Sequence, residues 1–341
     1  MPQRRKAIMS VLTAAMMSLA LGTGQARADT SPDAAAFADA DQTPAEIQAY
    51  WTPERLRTAE EEATATPEPD DEGTPTTTPA STMSDSGTGS APPSARTRDA
   101  DALTPFSASK VWSAHGTQPA ATIGKLYYTN NAGGRYYCSA TVINSDNHST
   151  IWTAGHCVTD GHKHWYSKFL FAPDYHDGQW PYGTWAWTKV AAPHGYHDGK
   201  SRSFDMAAIA LAPNSAGRRV GDVVGWQGYK FGKAYDQTDW SDVRSFGFPV
   251  NTHPSRSGIS GADLRFCVDS KTYRESLFQV VDCDMGSGSS GGPWLDDLDL
   301  SRGWGYLIGH NSHHTDAGFA TERSPWLDNA AINVRDTVRR A

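Results

Sequence analysis

Gly286-Ser287-Gly288-Ser289-Ser290-Gly291-Gly292-Pro293-Trp294 is the stretch on which the fold assignment turns. Its glycines let the backbone approach a bound substrate closely and turn N–H groups inward. A flexible linker could have the same composition. Here, however, apolar runs flank the segment on both sides, and Pro293-Trp294 suits entry into a strand. The segment therefore belongs inside a folded unit, with three serines, Ser287, Ser289 and Ser290, among its glycines.

Outward from it, the chain from about Thr122 reads as short β-type runs separated by Gly, Asn, Asp and Pro. They are Ile123–Tyr128, Arg135–Ile143, Thr184–Ala191, Met206–Leu211, Val220–Trp226, Val243–Phe248, Leu277–Asp282 and Gly305–Gly309. Frequent strands with turn residues between them indicate an all-β sandwich or barrel. A helix is expected last, over residues 325–340, with Ser324 as cap and Pro325 in its first turn. Leu327, Ala331, Val334 and Val338 fall on one face of it.

Hydrolysis by a serine needs an imidazole to take the hydroxyl proton, a carboxylate to orient that imidazole, and backbone donors for the oxyanion. Thr153-Ala154-Gly155-His156-Cys157, with Cys138 upstream in Tyr137-Cys138-Ser139, offers the base as His156. Phe204-Asp205-Met206-Ala207-Ala208-Ile209 offers the acid as Asp205, directly before a small, apolar strand. These three segments resemble the histidine, aspartate and Gly-Asp-Ser-Gly-Gly-Pro regions of the chymotrypsin- and trypsin-like serine peptidases, and the finer match is to the secreted bacterial branch related to glutamyl endopeptidases. The resemblance runs from about Thr122 to the C-terminus. It implies two six-stranded antiparallel β-barrels, at about 120–215 and 216–322, with the active site between them. It also implies a Ser-His-Asp triad of His156, Asp205 and Ser290, and an oxyanion hole from the N–H groups of Gly288 and Ser290. Ser287 and Ser289 do not fit the register of the nucleophile box. Ser289 stands where the pancreatic-type enzymes carry an Asp that pairs with a newly cut N-terminus, so maturation by that ion pair is not expected.

Two features bear on substrate preference. Asp284 lies six residues before Ser290, where trypsin-like enzymes select Arg or Lys. Gly309-His310-Asn311-Ser312-His313-His314 should line the pocket, and its imidazoles would favour an acidic side chain. The expected substrate-binding residues are thus Asp284, His310, Ser312 and His313, with a slight lean to a basic substrate residue. Two other classes are weighed against a peptidase. The pattern at Gly288–Gly292 also suits a lipase or esterase, but that fold needs several strand–helix units after the nucleophile, and only 291–341 remain. A non-catalytic binding module of the same fold usually lacks a triad residue, and none is missing here.

The N-terminal third reads differently. Arg4, Arg5 and Lys6 precede an apolar run to Leu21, and Ala26-Arg27-Ala28 closes it, as in a secretory signal peptide over residues 1–28. Residues 29–105 hold 16 acidic side chains against four arginines and are expected to form an acidic, disordered pro-segment or linker. Ile47, Tyr50, Trp51 and Leu56 break that texture and either dock on the enzyme or have no fixed partner. Arg96 and Arg98 precede the peptidase domain, 106–341, and are candidate processing sites. That domain has 22 acidic and 22 basic residues, which gives no electrostatic reason for nucleic acid or an anionic membrane as partner. Four cysteines in an exported chain suggest two disulfides. Three connectivities are open, and the preferred one is the local pairing Cys138–Cys157 and Cys267–Cys283. His162, His164, His176, His194 and His197 are scattered among apparent loops, so no catalytic metal or other cofactor is expected. The whole reads as a secreted, extracellular, monomeric zymogen acting on proteins or peptides.

Overall fold

In a computed structural model of the chain, the described residues are 29–65, 87–89, 106–232, 240–250, 259–271, 273–275, 278–314 and 321–341. Strand β1 (Ala35–Asp39) and helices α1 (Pro44–Tyr50) and α2 (Pro53–Ala65) fall within the stretch that composition marks as disordered. The cause is local and then tertiary. Thr43 Oγ1 accepts the Glu46 N–H while the Glu46 carboxylate accepts the Thr43 N–H, a reciprocal cap that starts α1. Ile47, Trp51 and Leu56 are then each no more than 5% exposed within the main core. Burying each contributes about 1.5–3 kcal/mol toward the cost of ordering two short helices. The apolar island therefore docks. Residues 1–28, expected as a signal peptide, and residues 66–86 and 90–105, with Arg96 and Arg98, lie outside the described residues.

Strands β2 (Gly87–Gly89) and β3 (Phe106–Val111) precede the first barrel in the chain but belong to the second half of the fold. The first barrel is built from β4 (Ile123–Thr129), β5 (Arg135–Ile143), β6 (Thr150–Thr153), β7 (Ser167–Pro173), β8 (Trp185–Pro193) and β9 (Ala207–Leu211). All its pairings are antiparallel, in the closed order β4-β5-β6-β9-β8-β7 and back to β4. Leu126, Val142, Ile151, Phe171, Val190 and Ile209 are fully buried within it. The N-terminal β1 adds to the outer edge of β8.

After the one-turn helix α3 (His194–His197), the run expected as a strand over Val220–Trp226 is instead a helix, α4 (Val220–Val224). Val220 and Val224, four apart, are both buried, and Gly225 at φ 78° ends the turn. There follow β10 (Gly228–Phe231), β11 (Ser241–Gly247), β12 (Arg265–Lys271), β13 (Tyr273–Glu275), β14 (Phe278–Asp282), β15 (Pro293–Asp299), β16 (Trp304–His310), β17 (Thr321–Pro325) and helix α5 (Asn329–Val338). Among the described residues their ladders form one sheet, β2-β10-β16-β15-β11-β12-β3, and a smaller one, β13-β14-β17. The two are joined by the Cys267–Cys283 disulfide and an isolated His313–Arg323 bridge. Among the described residues the second half thus pairs less continuously than the first barrel. The last helix begins later than expected: Pro325 pairs with Phe278, Ser324 Oγ accepts the His310 N–H, and Asp328 caps α5 instead.

Trp51 sits at the centre of the docked N-terminal segment, its indole N–H donating to the Lys168 carbonyl at 2.6 Å. Trp51→Ala should lower the unfolding free energy of the full chain by about 3–5 kcal/mol, read by urea denaturation. An unchanged midpoint would mean that the helices do not pack on the barrel.

Candidate active site

β6 and β9 pair with Thr153 opposite Ala207. Because the strands are antiparallel, the residues just after one and just before the other emerge together. His156 lies in the 3₁₀ turn Gly155–Cys157 that follows β6, and Asp205 follows the 3₁₀ turn Arg202–Phe204 that precedes β9. Gly155 is confined to that identity: a Cβ there would lie 3.0 Å from Asp205 Oδ1 and 2.9 Å from the Tyr196 ring. The Cys138–Cys157 disulfide ties the histidine's turn to β5.

Asp205 is 2% exposed, and three donors converge on it. The His156 backbone N–H reaches Oδ1 at 2.7 Å, His156 Nδ1 lies 2.9 Å from Oδ2, and Ser312 Oγ donates to Oδ2 at 2.6 Å. Burial pushes the carboxyl pKa up, but the imidazole charge and the bonds from His156 and Ser312 outweigh it and hold the group well below the usual carboxylate range. With Nδ1 as donor, the neutral His156 ring presents Nε2 as an acceptor.

The residues expected to line the substrate pocket also bond around Asp205. His310 is fully buried and its Nε2 lies 2.7 Å from the Asp205 carbonyl. The Trp152 indole, which can only donate, reaches His310 Nδ1 at 3.2 Å, so the proton of His310 is on Nε2 and goes to that carbonyl. Burial lowers the His310 pKa to about 4, which keeps the ring neutral. The Ser312 hydroxyl proton is spent on Asp205, so Ser312 Oγ accepts from His313 Nδ1 at 3.0 Å. His313 is likewise pushed down to about 3, first by burial. His310, Ser312 and His313 thus commit these polar atoms to a network around Asp205. Asp284, expected at the pocket base, is buried, with Oδ1 accepting the Ser109 N–H of β3 at 2.8 Å. His314 spans the Met285 carbonyl at 2.6 Å and the Glu322 carboxylate at 2.7 Å.

Ser290 is half-buried, in the loop between β14 and β15. Its carbonyl accepts the Ser139 N–H at 2.8 Å and lies 3.8 Å from Cys157 Sγ, one residue from His156. The loop is pinned from both barrels. Ser139 Oγ donates to the Gly288 carbonyl, and the Asn311 amide donates to the Ser289 carbonyl. Gly288 and Gly291 have φ of 88° and 79°, and a Cβ on Gly291 would lie 2.1 Å from Thr153 Oγ1. The N–H groups of Ser289, Gly291 and Gly292 bond within the fold, whereas those of Gly288 and Ser290 donate to no partner among the described residues. Ser289 Oγ is turned inward to the Gly286 carbonyl at 2.7 Å. Asn311 and Ser139 escaped the sequence reading; a polar residue beside each motif was the only signal for them.

Two clusters carry metal-ligand residue types. In Cys138, His156 and Cys157 the thiols are locked in a disulfide. In His115, Asp174 and His176, the Asp174 oxygens accept from His115 Nδ1 and the Gly116 N–H. The two rings there stack at 4.1 Å and 27°.

The Asp205 network has a measurable pH signature. A depressed folded-state pKa contributes stability that is complete above the unfolded value, near pH 4, and is lost as pH falls toward the folded value. Ser312→Ala removes one cause of the depression. The variant should be less stable than the parent at pH 7 by urea unfolding, and its Asp205 carboxyl should titrate at a higher pH than the parent's when followed by carbon-13 NMR. An Asp205 titration unmoved by Ser312→Ala would contradict the assignment.

Residues 138–300 match the family model described as the trypsin-like peptidase domain. A Bacillus subtilis protein named extracellular metalloprotease is 32% identical over 158 residues, which cover 46% of this chain and 47% of that protein. The chain thus matches about half the length of that curated relative. Among solved structures, the protease Anisep from Arthrobacter nicotinovorans superposes with a TM-score of 0.58 at 28% identity, covering 67% of this chain and 99% of the other. A thermostable serine protease from an extremophilic microorganism superposes at 0.57 and 25% identity, covering 65% and 98%. A Glu endopeptidase, at 0.53 and 19% identity over 69% of this chain and 98% of the other, shares the fold. With a closed six-stranded barrel beside a second β unit, the chain shares its fold with the bacterial chymotrypsin-like serine proteases, and its residues 138–300 are similar to the trypsin-like peptidase domain.

Proposed function

We propose that this chain is a secreted serine endopeptidase whose triad is His156, Asp205 and Ser290. The observation that carries the reading is the buried Asp205 carboxylate bonded to His156 Nδ1, with the Ser290 backbone anchored one residue from His156. In the reaction, Ser290 Oγ attacks the scissile carbonyl while His156 Nε2 takes its proton, and Asp205 stabilises the imidazolium. The carbonyl oxygen becomes an oxyanion that accepts from the N–H groups of Gly288 and Ser290. His156 then gives the proton to the departing amine, leaving an acyl-serine that water hydrolyses by the same steps in reverse.

The finer assignments follow from the same observations. Export fits a charged, apolar and small-residue leader, two disulfides, and a relative named extracellular. No helix among the described residues is long and apolar enough to cross a membrane. Maturation proceeds by removal of residues N-terminal to the peptidase domain, since Ser289 gives an incoming ammonium no carboxylate to pair with. The Asp284 bond to Ser109 argues against a pocket that selects basic residues. Proteins or peptides are the substrates, and the enzyme acts as a monomer without a cofactor.

The name of the Bacillus subtilis relative assigns metal dependence to that protein, so the test separates the two chemistries. A fluorophosphonate probe should label Ser290 in the matured enzyme, with Ser290→Ala abolishing labelling and each triad substitution lowering kcat by about 10⁴-fold or more. A chelator should leave turnover intact. Chelator-sensitive hydrolysis without labelling would overturn the reading, and neither labelling nor hydrolysis would point to a binding module.

A further inference from the structure

The first barrel holds a second carboxylate site, and its occupant comes from the N-terminal helices. Lys125 of β4 stands opposite Ser139 of β5, so the two side chains share one face of the barrel. On that face Ser139 Oγ bonds the Gly288 carbonyl and accepts the Phe248 N–H. The Lys125 ammonium lies between two rings, 4.1 Å from the centroid of Tyr137 and 3.7 Å from that of Tyr175. Tyr137 also touches the serine loop: its hydroxyl donates to the Phe248 carbonyl and lies 2.9 Å from where a Gly288 Cβ would stand. One aromatic ring thus walls the lysine pocket on one side and the candidate oxyanion loop on the other.

Glu60 of α2 fills this pocket. Its Oε1 accepts from Lys125 Nζ at 2.9 Å and from the Tyr127 hydroxyl at 3.0 Å. Lys125, Tyr127, Tyr137 and Tyr175 are each 3% exposed or less, whereas the Glu60 side chain is 29% exposed. The cage is built by the barrel, and the carboxylate enters it from the surface. Burial lowers the lysine pKa to about 8, and Glu60 opposes that shift. An ammonium this deep, faced by rings and a phenol, is matched to an anion, and an uncompensated one is costly.

We propose that Lys125 and Tyr127 form a carboxylate subsite of the substrate cleft, on the first-barrel side of the Ser290 loop, and that Glu60 holds it as an internal surrogate. When α2 is removed, the subsite takes an acidic side chain of the bound peptide. It is set apart from the candidate pocket on β16 and the Cys283–Gly286 segment, which belong to the second half of the fold. The inference rests on the endopeptidase reading for its role, but its chemistry can be tested without catalysis.

The test has two arms. A synthetic peptide spanning residues 43–65 is titrated into the matured enzyme by fluorescence anisotropy, alongside the same peptide with Glu60→Gln. The substitution should weaken binding at least tenfold. Equal affinity would overturn the carboxylate site whether or not the enzyme cleaves anything, and so would a matured enzyme that retains residues 43–65. In the second arm, paired peptides carrying Glu or Gln at each position flanking the cut are compared in wild type and Lys125→Met. At one flanking position the wild type should favour Glu by about tenfold in kcat/KM, and the variant should lose that ratio. A Glu-to-Gln ratio unchanged by Lys125→Met would refute the subsite while leaving the endopeptidase reading intact.

Discussion

A carboxylate with almost no water around it stays ionised only if donors surround it, and Asp205 sets that requirement for the whole site. Two of its donors come from the His156 turn and one from Ser312. Its backbone carbonyl takes a further bond from His310, itself fixed by Trp152. Each bond fixes a neighbour, so the charge that is costly to bury also orients the imidazole. Because the donors come from the turn after β6, from β16 and from the segment after it, the barrels cannot separate without leaving Asp205 unsatisfied.

The serine loop obeys a steric rule beside this electrostatic one. Gly288 and Gly291 take backbone conformations in which a side chain would be strained, and Gly291 lies directly against Thr153 and Ser139. Close approach allows Ser139 to hold the Ser290 carbonyl, and this brings a second-half loop beside a histidine of the first barrel. The docked helix α2 reaches the same wall through Glu60, whose carboxylate bonds Lys125 beside the Tyr137 ring.

Much of this was legible in the sequence. The strand-rich texture and the local disulfides could be read from residue types that pleat, turn and export demand, and the segments bearing His156 and Asp205, marked by their family resemblance, do meet. The misreadings have a common physical origin. Val220–Val224 is apolar in a way that suits either period, and only Gly225 and the packing of two valines decide for a helix. Ser324-Pro325 has the chemistry of a helix start, but β-pairing to Phe278 claims it first. That His310 and Ser312 bond to Asp205 was not legible, because a strand places alternate residues on opposite faces and nothing in the sequence says which face meets Asp205. The N-terminal segment was judged by its acidic average, which hid the Thr43–Glu46 cap and a glutamate that completes a site on the barrel.

The most direct measurement of the central claim is nitrogen-15 NMR of the His156 ring in the matured enzyme. At neutral pH the proton should reside on Nδ1, strongly shifted downfield by Asp205, with Nε2 bare, and Asp205→Asn should abolish the shift. A proton found on Nε2 in the unmodified enzyme, or an Nδ1 signal indifferent to Asp205→Asn, would contradict the coupling on which the proposed chemistry depends.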